Sequence, residues 1–300
     1  MGRNKSTISI PGRAKGFEYT ARDLERLRFI ARWYCVSPMH LLRKEQDMEL
    51  WHPLVHLNQG DRTTRERTLK FRTENIRARM NLMSKVAPHP TVGIMPVDAH
   101  TNSYYATRGG AAMVTPWEDI YPAVWQNYAH AFMAADIGMH LERAGFQVYS
   151  EREISTGRTV TGDIIEHDLA SDFRGSQGAR TIQKRPDLVV PSTTSLNYIA
   201  VEIERDENRP LRVYRDKLQA YQGNPNITKV WYCYREGTNT GHRVLTAALE
   251  LFGESWDKYL RLIPCADRDG FYEMGGAHPD DTTIILTAVF DDLTALEGTK

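Results

Sequence analysis

The sequence predicts an α/β chain, α+β overall, made of two unlike parts: a basic helical front and an acidic back built on a mixed sheet. The first observation is apolar periodicity of about 3.6 residues before position 90, where Leu24, Leu27, Ala31 and Tyr34 recur on one helical face. The second is a pair of β-branched runs further on, Leu188–Val190 and Tyr198–Glu204, with a helical pattern after them. The third is charge. The whole chain balances 38 Lys+Arg against 38 Asp+Glu, yet residues 1–90 hold 18 against 9 and residues 91–300 hold 20 against 29. A basic front joined to an acidic back suggests a nucleic-acid-binding part followed by a part with different work.

Residues 1–19 are basic and polar and are expected to be a flexible N-terminus. Thr20-Ala21-Arg22-Asp23 reads as a capping box that opens a helix. Ser37-Pro38 reads as an N-cap with proline at the first helical position, starting a second helix through Met39, Leu41 and Leu42. Thr73 is expected to cap a third helix, with Ile76, Met80 and Met83 on one face and Arg72, Arg77 and Arg79 elsewhere on it. Val92–Val97 and Tyr104–Ala106 flank a polar stretch and suggest a hairpin. Three helices and a hairpin over 20–115 predict a winged helix-turn-helix whose third helix is available for a DNA groove. Between Arg62 and Lys85 eight cations face Glu66 and Glu74 alone. Arg65, Arg67, Lys70, Arg72, Arg77, Arg79 and Lys85 are therefore the expected phosphate contacts of duplex DNA. A solvated helix face, or a small helical domain that binds protein, fits the same pattern.

From residue 116 the pattern changes. Tyr121–Arg143 reads as a long helix with Val124, Tyr128, Phe132 and Ala135 on a stripe and Gly145 as its stop. Strands are expected at Phe146–Tyr149, Thr159–Ile165, Leu188–Val190, Tyr198–Glu204 and Lys229–Tyr234. A helix carrying Leu211, Tyr214, Leu218 and Tyr221, with Lys217 beside that stripe, separates the last two. A further helix is expected over His242–Phe252, and Thr283–Thr287 is an apolar run assigned to packing. Alternation along the second β run places Glu202 and Glu204 on one face and Ile199, Val201 and Ile203 on the other, with Asp187 at the mouth of the first run. Three carboxylates gathered on a strand pair suit Mg²⁺ or Mn²⁺ and phosphodiester chemistry. Alternating charge on an exposed strand is the plainer reading.

Several function classes are set aside by what the chain lacks. No apolar run reaches the roughly 18 residues of a membrane span, and a cytoplasmic protein is expected. Cys35, Cys233 and Cys265 are scattered and form no Cys-x-x-Cys pair, and His52 and His56 have no third zinc ligand. A phosphate-binding Gly-x-x-x-x-Gly-Lys loop is absent, which argues against an ATPase.

Pro186-Asp187 followed by Glu202-Ile203-Glu204 resembles the active-site signature of the PD-(D/E)XK nucleases. With the preceding helices, Ser150-Glu151-Arg152-Glu153 and Lys217-Leu218-Gln219-Ala220-Tyr221, the span from Thr20 to Tyr234 is similar to the replication-relaxation family of plasmids and phages. Its members pair a winged helix with a restriction-endonuclease-like domain, here residues 116–300. The resemblance implies that Asp187 and Glu202 hold the metal and that Glu151 is an additional acidic ligand. Glu204 stands where lysine is usual, so it would act as a further metal ligand or general base, and Lys217 would supply the missing cation. It implies a mobile-element DNA-binding protein with a Mg²⁺-dependent endonuclease domain acting in replication, relaxation or processing, and homodimers are common among such folds. A non-catalytic DNA-binding regulator or replication accessory on the same scaffold is the alternative.

Overall fold

A computed structural model describes residues 17–45, 59–97, 102–117, 128–143, 145–174, 181–192, 197–204, 209–235 and 237–264. The fold is α+β. Two compact units divide between Ala135 and Asp136, and Val160–Asp163 belongs to the first.

The first unit opens with α1 (Ala21–Arg32). Its capping box forms as the sequence suggests: the Asp23 amide donates to Thr20 Oγ1 at 3.2 Å and the Thr20 amide to Asp23 Oδ2 at 2.7 Å. Leu27, Ile30 and Ala31 go into the core. In α2 (Pro38–Glu45), Ser37 Oγ accepts the His40 amide at 3.3 Å. Helix α3 runs over Gln59–Met83, so Thr73 lies inside it instead of starting it. Thr73 is buried, and its hydroxyl donates to Met39 Sδ at 3.5 Å. A partner on another element makes a capping role unnecessary, and the good helix formers before it carry the helix through. Ile76, Met80 and Met83 are buried, as their spacing requires. β1 (Val92–Pro96) and β2 (Asn102–Ala106) pair antiparallel, and Tyr104 also bridges Val36. A short α4 (Arg108–Ala112) follows, begun by Thr107, whose Oγ1 accepts the Gly110 amide at 3.0 Å.

The long helix is described as α5 (Tyr128–Arg143), and the division between units falls within it. Residues 118–127, which hold the start expected for it, lie outside the described residues, as do residues 1–16, Cys265 and the run at Thr283–Thr287.

After the last part of α5, the second unit continues with β3 (Tyr149–Ser150), which shortens the strand expected from Phe146, and α6 (Glu151–Thr156), closed by Gly157 at φ 65°. No strand spans Thr159–Ile165. Arg158 and Ile164 form an isolated bridge, and the chain between them turns through Gly162 at φ +107°. That conformation favours glycine and ends β pairing. An additional antiparallel pair, β4 (Ser171–Arg174) and β5 (Thr181–Lys184), follows. Next come β6 (Leu188–Pro191), β7 (Tyr198–Glu204), α7 (Leu211–Gln222), β8 (Ile227–Tyr234), α8 (Thr240–Phe252), a 3₁₀ turn at Gly253–Ser255, α9 (Trp256–Tyr259) and β9 (Leu260–Pro264).

The five-stranded sheet has the order β3-β6-β7-β8-β9. β3, β6 and β7 meet antiparallel, whereas β7, β8 and β9 are parallel, which requires the helical crossovers that α7 and α8 supply. All seven residues of β7 are buried. One face of the sheet packs Ala200, Val230 and Tyr232 with Tyr214, Leu218 and Tyr221 of α7 and Val244 and Ala247 of α8. Val189 and Tyr198 join Ile165 and Leu169 in a second cluster. Cys35 and Cys233 are buried.

A buried carboxylate cluster on the central strand

The pairing of Leu188 with Val201 and of Val189 with Ala200 brings Asp187, one residue ahead of β6, level with the end of β7. Asp187 Oδ2 accepts the Ile203 amide at 2.7 Å, which anchors this half-buried carboxylate to the strand. Glu202 and Glu204 alternate with Val201 and Ile203, on the same strand face as Ala200 and hence beneath α7. They are not an exposed charged strand: Glu202 is 1% and Glu204 2% accessible.

Helix α7 answers that buried charge. Lys217 and Tyr221 are four residues apart and share a helix face, and both reach Glu202. Lys217 Nζ lies 2.5 Å from Glu202 Oε2, and the Tyr221 hydroxyl donates to Oε1. The same ammonium is 4.0 Å from Glu204 Oε2, while Arg209 Nε is 3.2 Å from Glu204 Oε1. Three carboxylates thus converge around Lys217, with Arg209 as the second cation.

The electrostatics follow from low polarity and close charges. Burial pushes the Glu202 carboxyl above the ordinary carboxylate range, against the pull of Lys217. Burial alone would depress Lys217, but Glu202, Asp187 and Glu204 together hold it above an ordinary lysine. Burial, then Glu202, raises Tyr221 and Tyr232 well above an ordinary phenol, so both remain protonated donors. The Tyr232 hydroxyl feels Glu202 and Glu204 yet makes no hydrogen bond among the described residues. A water or a ligand oxygen would match it.

Among the described residues no group of three or more His, Cys, Asp or Glu side chains is arranged to hold a metal ion. An all-protein cage therefore does not fit. Mg²⁺ more often uses one or two carboxylates and completes its shell with water and phosphate oxygens. Asp187, half-buried, and Glu202 fit that lesser requirement, and the unmatched Tyr232 hydroxyl beside Glu202 is consistent with a further oxygen there. Glu151 sits half-buried in the first turn of α6.

The basic residues expected on DNA have separate fates. Lys70, Arg72 and Lys85 are exposed, and Arg77 is half-buried, near enough to Tyr104 to oppose the rise of its hydroxyl to about 12 caused by burial. Arg79 is turned inward: its Nε and Nη2 lie 2.9 and 2.5 Å from the two oxygens of Asp23, and Nη2 also donates to the Glu18 carbonyl at 2.7 Å. Although burial acts to raise Asp23, bonds from Arg79 and Thr20 hold it below an ordinary aspartate. The side chains of Arg65 and Arg67, on the first half of α3, lie outside the described residues. Sequence reasoning treated Tyr221 as packing and did not identify Arg209 or Tyr232. The four-residue spacing from Lys217 to Tyr221 was the available signal.

No match to this chain was found among protein families, curated proteins or solved structures.

Proposed function

We propose that this chain is a DNA-binding protein of a mobile element, akin to the replication-relaxation proteins it resembles. A winged-helix unit would hold duplex DNA, and a restriction-endonuclease-like unit would hydrolyse a phosphodiester with Mg²⁺ or Mn²⁺. The order α1, α2, α3 and a β1–β2 hairpin supports the first part. The observation that carries the second is the convergence of Asp187, Glu202 and Lys217 at the mouth of the β6–β7 hairpin. So much charge at one buried point is costly for a fold and is common where charge does work. Asp187 and Glu202 would hold the ion, which when bound polarises the phosphate and acidifies a water. Glu204 lies between Lys217 and Arg209, and Lys217 would supply positive charge where the phosphate gains negative charge.

The test is incubation of the pure full-length protein with supercoiled plasmid and Mg²⁺ or Mn²⁺. Metal-dependent nicking that disappears in Asp187→Ala and Glu202→Gln supports the enzyme. A second reading, a non-catalytic DNA-binding regulator or replication accessory, is favoured by one observation: both Glu202 oxygens are already held, by Lys217 and Tyr221. DNA binding without nicking on plasmid, branched and single-stranded substrates, with either metal, would select it and sink the enzyme.

A further inference from the structure

A cavity of about 370 Å³ opens on α1 and α2 in the first unit, and neither the carboxylate cluster nor the basic segment of α3 includes it. Its lining follows from helical spacing. Arg22, Phe29 and Arg32 recur at intervals of seven and three along α1, with Arg28 beside them, and Leu41 and Lys44 recur at an interval of three on α2. Phe29 and Leu41 are buried, at 4% and 1% accessible, and form an apolar floor. The aliphatic stems of the lining arginines add apolar surface to the wall.

Charge on the wall is unequal. Glu45 is bonded to the Arg26 Nε, and Arg26 Nη1 lies 3.7 Å from Asp23, so these groups compensate one another. Among the described residues that line the cavity, Glu25 is the remaining carboxylate beside Arg22, Arg28, Arg32 and Lys44. Two of the four cations are held in place before any ligand arrives. Arg28 Nε donates to the Val114 carbonyl at 3.3 Å, and the Arg32 guanidinium lies 4.8 Å from the centre of the Trp33 ring. Fixed cations around an apolar floor lose little conformational freedom when an anion binds.

We propose that this cavity binds a nucleoside monophosphate, with the base against Phe29 and Leu41 and the phosphate among Arg22, Arg28, Arg32 and Lys44. The volume suits a ligand of that size. The same chemistry is offered by a free nucleotide and by the phosphorylated terminus of a DNA strand. The proposal stands apart from the nuclease reading, since it uses residues of the first unit only.

Titration calorimetry of the full-length protein with deoxyadenosine monophosphate, inorganic phosphate and deoxyadenosine tests it. The nucleotide should bind about tenfold or more tightly than either part, because each part forfeits one set of contacts. Arg22→Glu/Lys44→Glu, at two exposed positions, should weaken the nucleotide by about tenfold or more with an unchanged melting temperature. Competition by a 5′-phosphorylated oligonucleotide but not its 5′-hydroxyl form assigns the strand terminus as the source; competition by neither assigns the free nucleotide. No nucleotide binding, equal binding of inorganic phosphate, or binding indifferent to the double substitution overturns the proposal.

Discussion

Glu202 is the residue on which the second unit turns, since it is buried at 1% accessibility and bonded by both Lys217 and Tyr221. Removing one member of a buried pair is worse than removing both, because the survivor keeps its desolvation cost without its partner. Lys217→Met should therefore destabilise the protein by about 3–5 kcal/mol in urea unfolding. Glu202→Gln/Lys217→Met should recover a measurable part of that loss, and a double variant no more stable than Lys217→Met refutes the pairing. The Asp23–Arg79 pair makes a separate prediction in the first unit, readable through pH. Asp23 titrates lower in the folded chain than in the unfolded one, where about 3.9 is ordinary. Between those two values the unfolded chain binds more protons, so the stability Asp23 contributes is present above about 3.9 and is lost as pH falls through its folded value. Asp23→Asn should cost stability at pH 6, and its gap from the unaltered protein should narrow toward pH 3. A gap that stays constant would show that Asp23 is not held as an anion.

At the scale of elements, adjacent glycines in α4 separate packing from propensity. A Cβ at Gly110 would sit 2.0 Å from the Thr91 carbonyl oxygen, whereas a Cβ at Gly109 meets nothing within 4 Å. Gly110→Ala should force α4 off the entry to β1 and cost about 1–3 kcal/mol or more. Gly109→Ala should be neutral or stabilise by up to about 1 kcal/mol through helix propensity. Thermal unfolding of the two variants checks this, and a shift in the same direction for both contradicts the close approach. Elements governed by local chemistry were legible from the sequence: the Thr20 box, the start of α2 at Ser37-Pro38, the β1–β2 and β6–β7 pairs, and the stripe of α7. Those governed by distant partners were not. Thr73 carries a capping side chain but spends it on Met39, and Thr159–Ile165 has strand-forming residues interrupted by a turn at Gly162. The carboxylates could be aligned from strand alternation, but their burial depends on α7 crossing that face, which alternation does not encode.

At the scale of the whole molecule, the net charge of zero removes any general attraction to DNA. Any attraction to DNA would have to come from local cations, because charges further apart than about 8 Å are screened at physiological salt. Lys70, Arg72 and Lys85 are exposed along α3 and just past its end, where each would meet a phosphate singly, while Arg79 is committed to Asp23. These two kinds of cation should separate in a salt titration of duplex binding. Each phosphate contact contributes roughly 0.9 to the slope of log affinity against log salt. Lys70→Ala, Arg72→Ala and Lys85→Ala should each flatten that slope by about one and leave the melting temperature unchanged. Arg79→Ala should lower the melting temperature, since it takes from Asp23, at 2% side-chain accessibility, its bidentate partner and leaves Arg26 at 3.7 Å, and should leave the slope intact at temperatures where the protein stays folded. A slope near zero for the unaltered protein would remove DNA from the account of the first unit and make its basic helix face a solvated surface or a protein-binding one.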